Sequence, residues 1–302
     1  PNAVCDIGTG AKLRATELQL VAGAMRVNGY VEMQATLFNV SSSGTISGDS
    51  RSHTSTNQGS GQGTSNDWRE AGSHGGVAGQ WSGPTYGSTF RPVTVGSGGW
   101  STKGGAALKI DADELILDGA IDMDGQSAWH SGGGSGGSVW ATTRLLRGSG
   151  ATITARGGNG QYTASTGAAG GGGGRIALYC NESAYNSNET YKVWTGLPSF
   201  SVHGGQRAHS SYSYDGGSGT VYLECGSATS ALVIDNAGKD AKTTTLVDEG
   251  VTTFAFNTVG TYGNAELDFT PTSTGTSLIQ VSINYTIGDG TGMLHVKNNR
   301  RV

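Results

Sequence analysis

Apolar and polar residues alternate along several short stretches of this chain. Leu115 and Leu117 are separated by one residue, and Ile121 and Met123 flank Asp122. A period of two places every second side chain on the same face, as in a β-strand with one buried face. Short strands cannot bury such a face alone, so we expect successive strands to stack at a spacing of about 4.8 Å.

The same pattern recurs along the chain. A segment that starts at Gly105 is followed by a similar segment 32 residues later, at Gly137. Each copy opens with a glycine run, enters a short apolar strand, crosses a turn and ends in a second strand. Residues 16–29 and 36–48 fit the same template. Their predicted inward-pointing residues are Leu18, Leu20, Met25, Val27, Phe38, Val40 and Ile46. Repetition on this scale, with strands in each copy, is typical of a β-solenoid.

These repeats carry a family resemblance. The glycine runs and the motifs at 119–121, 150–153 and 172–179 are the residues on which it depends. Over roughly residues 75–240 the chain resembles the glycine-rich parallel β-helix repeats of large extracellular and cell-surface proteins, both bacterial adhesin-like proteins and eukaryotic glycine-rich surface proteins. The resemblance implies an all-β fold, a glycine-rich parallel β-helix or solenoid, and an extracellular or cell-surface location.

We expect two regions. Residues 1–240 form the glycine-rich solenoid, interrupted at 50–103 by a polar loop insertion, and residues 241–302 form a β-rich C-terminal segment. Within that segment, residues 277–287 show the cleanest alternation of a strand with one buried face. Alternation alone does not separate further solenoid layers from a small β-sandwich.

The insertion contains five aromatic residues: Trp68, Trp81, Tyr86, Phe90 and Trp100. One interpretation is a binding loop, in which the tryptophans are exposed along a groove. The favoured interpretation is a flap whose aromatic side chains anchor it to the side of the solenoid.

Composition narrows the function classes. Gly accounts for 53 of 302 residues, charged residues are only 14%, and the net charge is −4. Because the apolar residues alternate in runs, we interpret the glycines as turns and packed loops of a folded protein. Lys and Arg form no basic stripe, which argues against nucleic-acid binding. No apolar run approaches the length of a membrane span.

Candidate catalytic residues are few. The acids Asp111, Asp113, Asp118, Asp122 and Asp124 resemble the clustered carboxylates of enzymes that cleave polysaccharides. We interpret them as solvated surface acids, because the signature strings of polygalacturonases are absent. The six histidines lack the spacing of a zinc site. We therefore predict no catalytic residues, no metal and no cofactor.

The three cysteines suggest a disulfide. The segments that end at Cys180 and Cys225 align residue for residue, so the two cysteines would stack on neighbouring strands about 4.8 Å apart. We predict a Cys180–Cys225 bond and hence an oxidising compartment; two stacked free thiols are the alternative. Cys5 is left over and is a candidate for an intermolecular contact.

Four Asn-X-Ser/Thr sequons occur, at Asn39, Asn181, Asn188 and Asn284. Asn39 and Asn284 each lie between residues predicted to point inward, so both should face outward. Asn181 and Asn188 lie in a polar connection. We expect that all four can carry N-linked glycans without disturbing the core.

These observations favour a non-enzymatic extracellular structural protein, a β-solenoid subunit of a surface fibre or an adhesin. Since no amphipathic helix is available as a cap, open strand edges should promote head-to-tail self-association into filaments. The alternative is a carbohydrate-binding or polysaccharide-cleaving protein on the same fold.

Overall fold

The computed structural model describes residues 4–63, 67–79, 82–161, 167–183, 198–209, 214–226, 230–240, 243–245, 253–269 and 280–295. Over these ranges the chain is all-β, with sixteen strands and no helix. The strands are β1 (Val4–Ile7), β2 (Lys12–Val27), β3 (Tyr30–Ser47), β4 (Ala107–Leu117), β5 (Ala120–Asp122), β6 (Ser138–Arg147), β7 (Thr152–Thr154), β8 (Arg175–Ser183), β9 (Ser199–Ser201), β10 (Thr220–Cys225), β11 (Ser230–Asp235), β12 (Thr243–Thr245), β13 (Thr253–Tyr262), β14 (Glu266–Asp268), β15 (Gln280–Gly288) and β16 (Met293–His295).

Thirteen of these strands form one sheet. Its order is β15-β13-β11-β10-β8-β6-β4-β3-β5-β7-β9, with β2 beside β3 and β1 beside β2. The pairings among β1 to β10 are parallel, and a separate parallel sheet has the order β12-β14-β16. The predicted all-β class is confirmed, and the large sheet is mostly parallel.

The strand register follows the sequence repeat. Phe38 is paired with Leu18 on one side and with Leu115 on the other, as the alignment of the copies predicts. Ala120 is paired with Thr152, the offset of 32 residues expected from the glycine runs. Side chains of one type therefore stack in columns across the sheet, which places each predicted inward residue over another.

The long strand β3 divides the large sheet into two branches. Its first part is paired with β4 and its last part with β5, so β4-β6-β8-β10 and β5-β7-β9 both start from it. Ile110 on β4 and Ile121 on β5 belong to the same buried cluster, which we call the first core. The two branches therefore contribute side chains to one core.

The chain reverses direction after β10. Strand β11 is antiparallel to β10, whereas β13 and β15 continue parallel to β11. The reversal coincides with a change of buried face. On β10, Val221 and Leu223 belong to the first core, while Tyr222 between them belongs to a second buried cluster with Phe254 and Phe256. The C-terminal strands thus fill the opposite face of the same sheet, and we call this cluster the second core.

The C-terminal segment adds strands to the large sheet. β13 and β15 extend it in register, and β14 and β16 lie beside β12 in the small sheet. The expected alternation in β15 is confirmed only in part, because residues 277–279 lie outside the described ranges. Val281 and Ile283 pack against the second core, but Tyr285 is 47% exposed, so the prediction that it points inward is wrong. β15 is the last strand of the sheet, and no strand covers it in the described residues.

The glycine-rich segments form a hydrogen-bonded bundle without regular strands. The amide of Gly136 donates to the carbonyl of Gly172 (3.0 Å), and the amide of Gly172 donates to the carbonyl of Gly72 (2.9 Å). A Cβ atom on any of these three glycines would lie within 3.0 Å of a backbone carbonyl oxygen. Close backbone approach therefore requires glycine here. We call this bundle the glycine array; its segments are residues 72–79, 96–99, 104–105, 132–137, 157–160, 170–174, 204–205 and 216–219.

The insertion is anchored on the sheet by aromatic side chains. The Phe90 ring lies 4.8 Å from the ring of Tyr222 and 6.0 Å from that of Phe256. The carbonyl of Phe90 also accepts the hydroxyl of Tyr179 (2.8 Å). For this residue the predicted anchoring is confirmed, and it joins the insertion to the second core.

The predicted disulfide is confirmed. Cys180 on β8 and Cys225 on β10 occupy paired register positions, with their Cα atoms 4.4 Å apart, and are bonded to each other. The bond closes the strand pair immediately before the chain reverses.

Candidate functional site

Four of the five acids singled out in the sequence make contacts between neighbouring strands: Asp113, Asp118, Asp122 and Asp124. Asp113 accepts from the Arg144 Nε at 2.9 Å, and Asp124 accepts from the Arg156 Nε at 2.7 Å. In each pair the partner lies one strand further along the sheet, 31 or 32 residues later. These acid–base pairs follow the repeat and support the interpretation of the acids as surface residues.

Three carboxylates meet where β5 ends. Asp49 accepts the amide of Asp124 (2.8 Å), and burial, with the negative charges of Asp124 and Asp122, raises the pKa of Asp49 to about 6. A carboxyl whose pKa is raised by burial beside other carboxylates is an arrangement that general acid–base catalysis uses. Here Asp122 accepts the hydroxyl of Thr154 (3.1 Å), and Asp124 accepts both the amide and the Nε of Arg156. The group therefore also holds adjacent strands together.

A polar cleft of about 550 Å³ opens at the start of the insertion. Asp49, Arg51, His53 and Lys103 line it. Arg51 donates to the side chain of Asn28 (2.8 Å), and Lys103 donates to a backbone carbonyl of the insertion (2.7 Å). Burial lowers the pKa of His53, whose Nε2 has no hydrogen-bond partner within the described part of the chain. Both cations of this cleft are thus held by contacts within the protein.

A shallow groove of about 700 Å³ crosses the outer face of β2, β3, β4, β6 and β8. Arg14, Asp111, Asp113 and Arg144 line it, so charges of both signs alternate along its length. Recognition of an acidic polysaccharide favours a surface of one complementary sign. This groove does not provide one.

A buried arginine joins the sheet to the insertion. Arg175 is fully buried at the start of β8, and its Nε donates to the carbonyl of Tyr86 (2.9 Å). One of its terminal nitrogens donates to the hydroxyls of Thr89 (3.0 Å) and Thr220 (3.2 Å). The sequence analysis did not identify this residue, because its partners lie about 45 and 90 residues away. Its fork of donors holds the insertion onto the sheet.

His74 is the second buried group beneath the insertion. Its Nδ1 lies 2.8 Å from the carbonyl oxygen of Gly136, and its Nε2 lies 2.8 Å from the hydroxyl of Thr94. Because a carbonyl oxygen only accepts, Nδ1 carries the proton and Nε2 accepts from Thr94. Burial, with the positive charge of Arg175, lowers the pKa of His74 to about 3. The imidazole is therefore a neutral structural group.

The sequons differ in accessibility. Asn181 and Asn284 are exposed, Asn39 is half-buried on β3, and Asn188 lies outside the described residues. Asn181 lies on β8, so the prediction that it belongs to a polar connection is wrong. Asn284 donates to the side chain of Asn257 (3.2 Å). Cys5 is a free, exposed thiol on β1.

Five loops meet at one end of the glycine array. The amide of Gly132 donates to the carbonyl of Trp68 (3.1 Å), and the amide of Trp100 donates to the carbonyl of Glu70 (3.2 Å). On the other side, the backbone carbonyl of Asn159 accepts a hydrogen bond from the amide of Ala128 (2.8 Å). The side-chain oxygen of Asn159 accepts one from the amide of Gln206 (2.8 Å). We call this region the loop-tip surface; its loops are residues 67–70, 99–102, 126–132, 159–161 and 206–209.

The loop-tip surface carries three tryptophans. Trp68 and Trp100 are half-buried, and Trp81, the other candidate from the insertion, lies outside the described residues. Trp129 is 71% exposed and was missed in the sequence analysis, since it lies in a short glycine-flanked loop outside the insertion. Its ring meets that of His130 edge-on, with 5.7 Å between the ring centroids.

Comparisons with known proteins do not assign a function. No protein-family model, curated protein or solved structure matches this chain. Within the described ranges, no cluster of His, Cys, Asp or Glu side chains is arranged to hold a metal ion. That part of the chain also has no helix long and apolar enough to cross a bilayer.

Proposed function

We propose that this chain is a non-enzymatic extracellular structural protein, a glycine-rich β-helix module of a surface fibre or adhesin. The observation that carries the proposal is the glycine array. It fills the space beside the sheet with hydrogen-bonded backbone, in which added side-chain atoms would meet carbonyl oxygens. Such packing suits a rigid body better than a site that must admit a substrate.

Three further observations support an extracellular β-helix. The columns of like side chains and the two branches around the first core match what a parallel β-helix requires. The Cys180–Cys225 bond suits an oxidising compartment. Exposed sequons at Asn181 and Asn284 would accept N-linked glycans there. Mass spectrometry of the secreted protein, before and after treatment with a peptide N-glycosidase, tests whether Asn181 and Asn284 carry glycans.

Head-to-tail assembly into filaments is part of the proposal. In the described residues, β2 has a free edge over most of its length and β15 ends the sheet at the other side. Because the chain reverses after β10, such a contact would pair β15 of one copy with β2 of the next in antiparallel fashion. Leu13 on β2 packs against the first core and Val281 on β15 against the second. The contact would therefore depend mainly on backbone hydrogen bonds.

Two experiments test the structural role. Incubation with polygalacturonate and alginate should release no reducing ends or unsaturated products. A turnover that disappears in Asp122→Asn or Asp124→Asn would contradict the proposal. Electron microscopy and light scattering should show linear polymers, which a deletion of residues 280–295 shortens. A monodisperse monomer at high concentration would remove the assembly claim.

A further inference from the structure

We infer that the loop-tip surface binds a neutral carbohydrate, with Trp129 as the main stacking side chain. This activity would be additional to the structural role and does not depend on filament formation. Trp129 is 71% exposed, the largest exposed fraction among the large hydrophobic side chains that the structure describes. An exposed indole ring presents a flat apolar face to solvent. The C–H face of a sugar ring can stack on such a surface.

The loop that carries Trp129 is held in place by its backbone. The amide of Ala128 donates to the carbonyl of Asn159 (2.8 Å), and the amide of Gly132 donates to that of Trp68 (3.1 Å). The next glycine, Gly133, donates to the carbonyl of Ala169 within the array (3.0 Å). A loop fixed at both ends loses little conformational freedom when it binds, so its contacts contribute more to affinity.

Trp129 offers more of its ring surface than its neighbours. The guanidinium of Arg69 lies 5.7 Å from the ring centroid of Trp68, which covers one face of that ring. Trp100 is half-buried. Of the three tryptophans of this surface, Trp129 is therefore the ring most available to a ligand.

The polar residues around Trp129 favour an uncharged ligand. Five of them are exposed and neutral: Ser101, Ser127, Asn159, Gln161 and Gln206. The arginines of the surface are already paired, Arg69 with Asp67 and Arg207 with Asp240. Hydroxyl and amide groups suit sugar hydroxyls, whereas an acidic polysaccharide would require cations that are not engaged. A protein partner would favour further apolar groups around the tryptophan, and its immediate neighbours are polar.

Binding of the full-length, fluorescently labelled chain to an array of immobilised glycans tests the inference. The array carries neutral oligosaccharides of glucose, galactose, mannose and N-acetylglucosamine, together with oligogalacturonates as the acidic arm. We expect binding to one or more neutral glycans and at least about a tenfold loss of affinity in Trp129→Ala. Tyr285→Ala, which removes an exposed aromatic ring on β15, is the matched control and should bind as the parent does.

Three results would overturn the inference. They are no binding to any neutral glycan, binding that Trp129→Ala leaves unchanged, and binding confined to oligogalacturonates. Because Trp129 is exposed, its replacement should leave the thermal unfolding midpoint unchanged, so lost binding would not reflect lost folding. Filament formation is measured separately on the same variant, which distinguishes failure of this inference from failure of the structural proposal.

Discussion

The two ends of the large sheet are packed by different means. The segments that lead into β4, β6, β8 and β10 belong to the glycine array, where backbone contacts backbone. The strands β11 to β15 pack instead on the side chains of the second core, among them Phe254, Phe256 and Phe269. One continuous sheet therefore supports a region that has no room for an added atom and a region that depends on large side chains.

This difference determines how each region responds to substitution. In the glycine array a single methyl group collides with a carbonyl oxygen that belongs to a hydrogen-bonded backbone. In the second core the loss of a ring leaves a cavity that the neighbouring rings fill only partly. The array should therefore be sensitive to larger residues, and the second core to smaller ones.

The largest effect is expected at the join between the two regions. Removing the disulfide with Cys180→Ala and Cys225→Ala should lower the free energy of unfolding by about 4 kcal/mol, because the bond closes a loop of 45 residues. Denaturant unfolding of the oxidised parent and the double variant measures this. Cys5→Ala, at an exposed free thiol, is the control. Equal stability of parent and double variant would show that the join needs no covalent bond.

The second largest effect is expected when an aromatic side chain of the second core is replaced by alanine. Phe256 is buried, and its ring centroid lies 6.0–6.5 Å from those of four other aromatic rings, so Phe256→Ala should cost about 3 kcal/mol. Tyr285→Ala on the exposed strand β15 should change stability by less than about 0.5 kcal/mol. If both substitutions cost the same in denaturant unfolding, the second core does not depend on its side chains.

A substitution in the glycine array should have the next largest effect. An added Cβ on Gly173 would meet the carbonyl of Val202 and the amide of Gly219, so Gly173→Ala should cost about 2 kcal/mol. Gly8→Ala is the matched control, since an added Cβ there meets nothing within 4 Å. Thermal and denaturant unfolding compare the two variants. A Gly173→Ala protein as stable as Gly8→Ala would mean that the array is loosely packed.

The smallest effect is the change in stability over a single pH unit. The folded pKa of His74 is lowered to about 3 from 6.5, so below pH 6.5 the unfolded state takes up a proton that the folded state does not. The free energy of unfolding should therefore fall as the pH drops from 6.5 towards 3, by up to about 1.4 kcal/mol per unit. In His74→Asn this slope should be reduced, while exposed His130→Asn serves as the control. An unchanged slope in His74→Asn would place the acid sensitivity elsewhere.

Much of the strand pairing could be predicted from the sequence. The alternation around Leu115 and Ile121, and the offset of the glycine runs, predicted the columns that the structure contains. The alignment of Cys180 with Cys225 predicted the disulfide. Repeats preserve register, so a pattern that recurs in the sequence recurs in space.

The reversal after β10 could not be predicted in the same way. Alternation of apolar residues is the same whichever direction a strand runs, so β11 reads like any other strand. The change of buried face at Tyr222 is equally hidden, because both faces of β10 carry apolar side chains.

The groups beneath the insertion and the loop-tip surface were missed for related reasons. Arg175 and His74 are polar residues whose partners lie far away in the sequence. Residues of these two types are seldom fully buried, so the sequence gives no reason to place them in the interior. Trp129 lies in a loop with no apolar periodicity, so the sequence offers only its residue type. Its exposure depends on how the glycine array holds the surrounding loops.

Hydrogen exchange at the glycine amides tests the packed array most directly. The amides of Gly136, Gly158, Gly172, Gly173 and Gly205 each donate to a backbone carbonyl at 2.7–3.0 Å, although none of them lies in a strand. We expect these amides to exchange as slowly as those of β8, because both open only when the surrounding sheet opens. Exchange at the rate of an unfolded peptide, while β8 remains protected, would contradict the account.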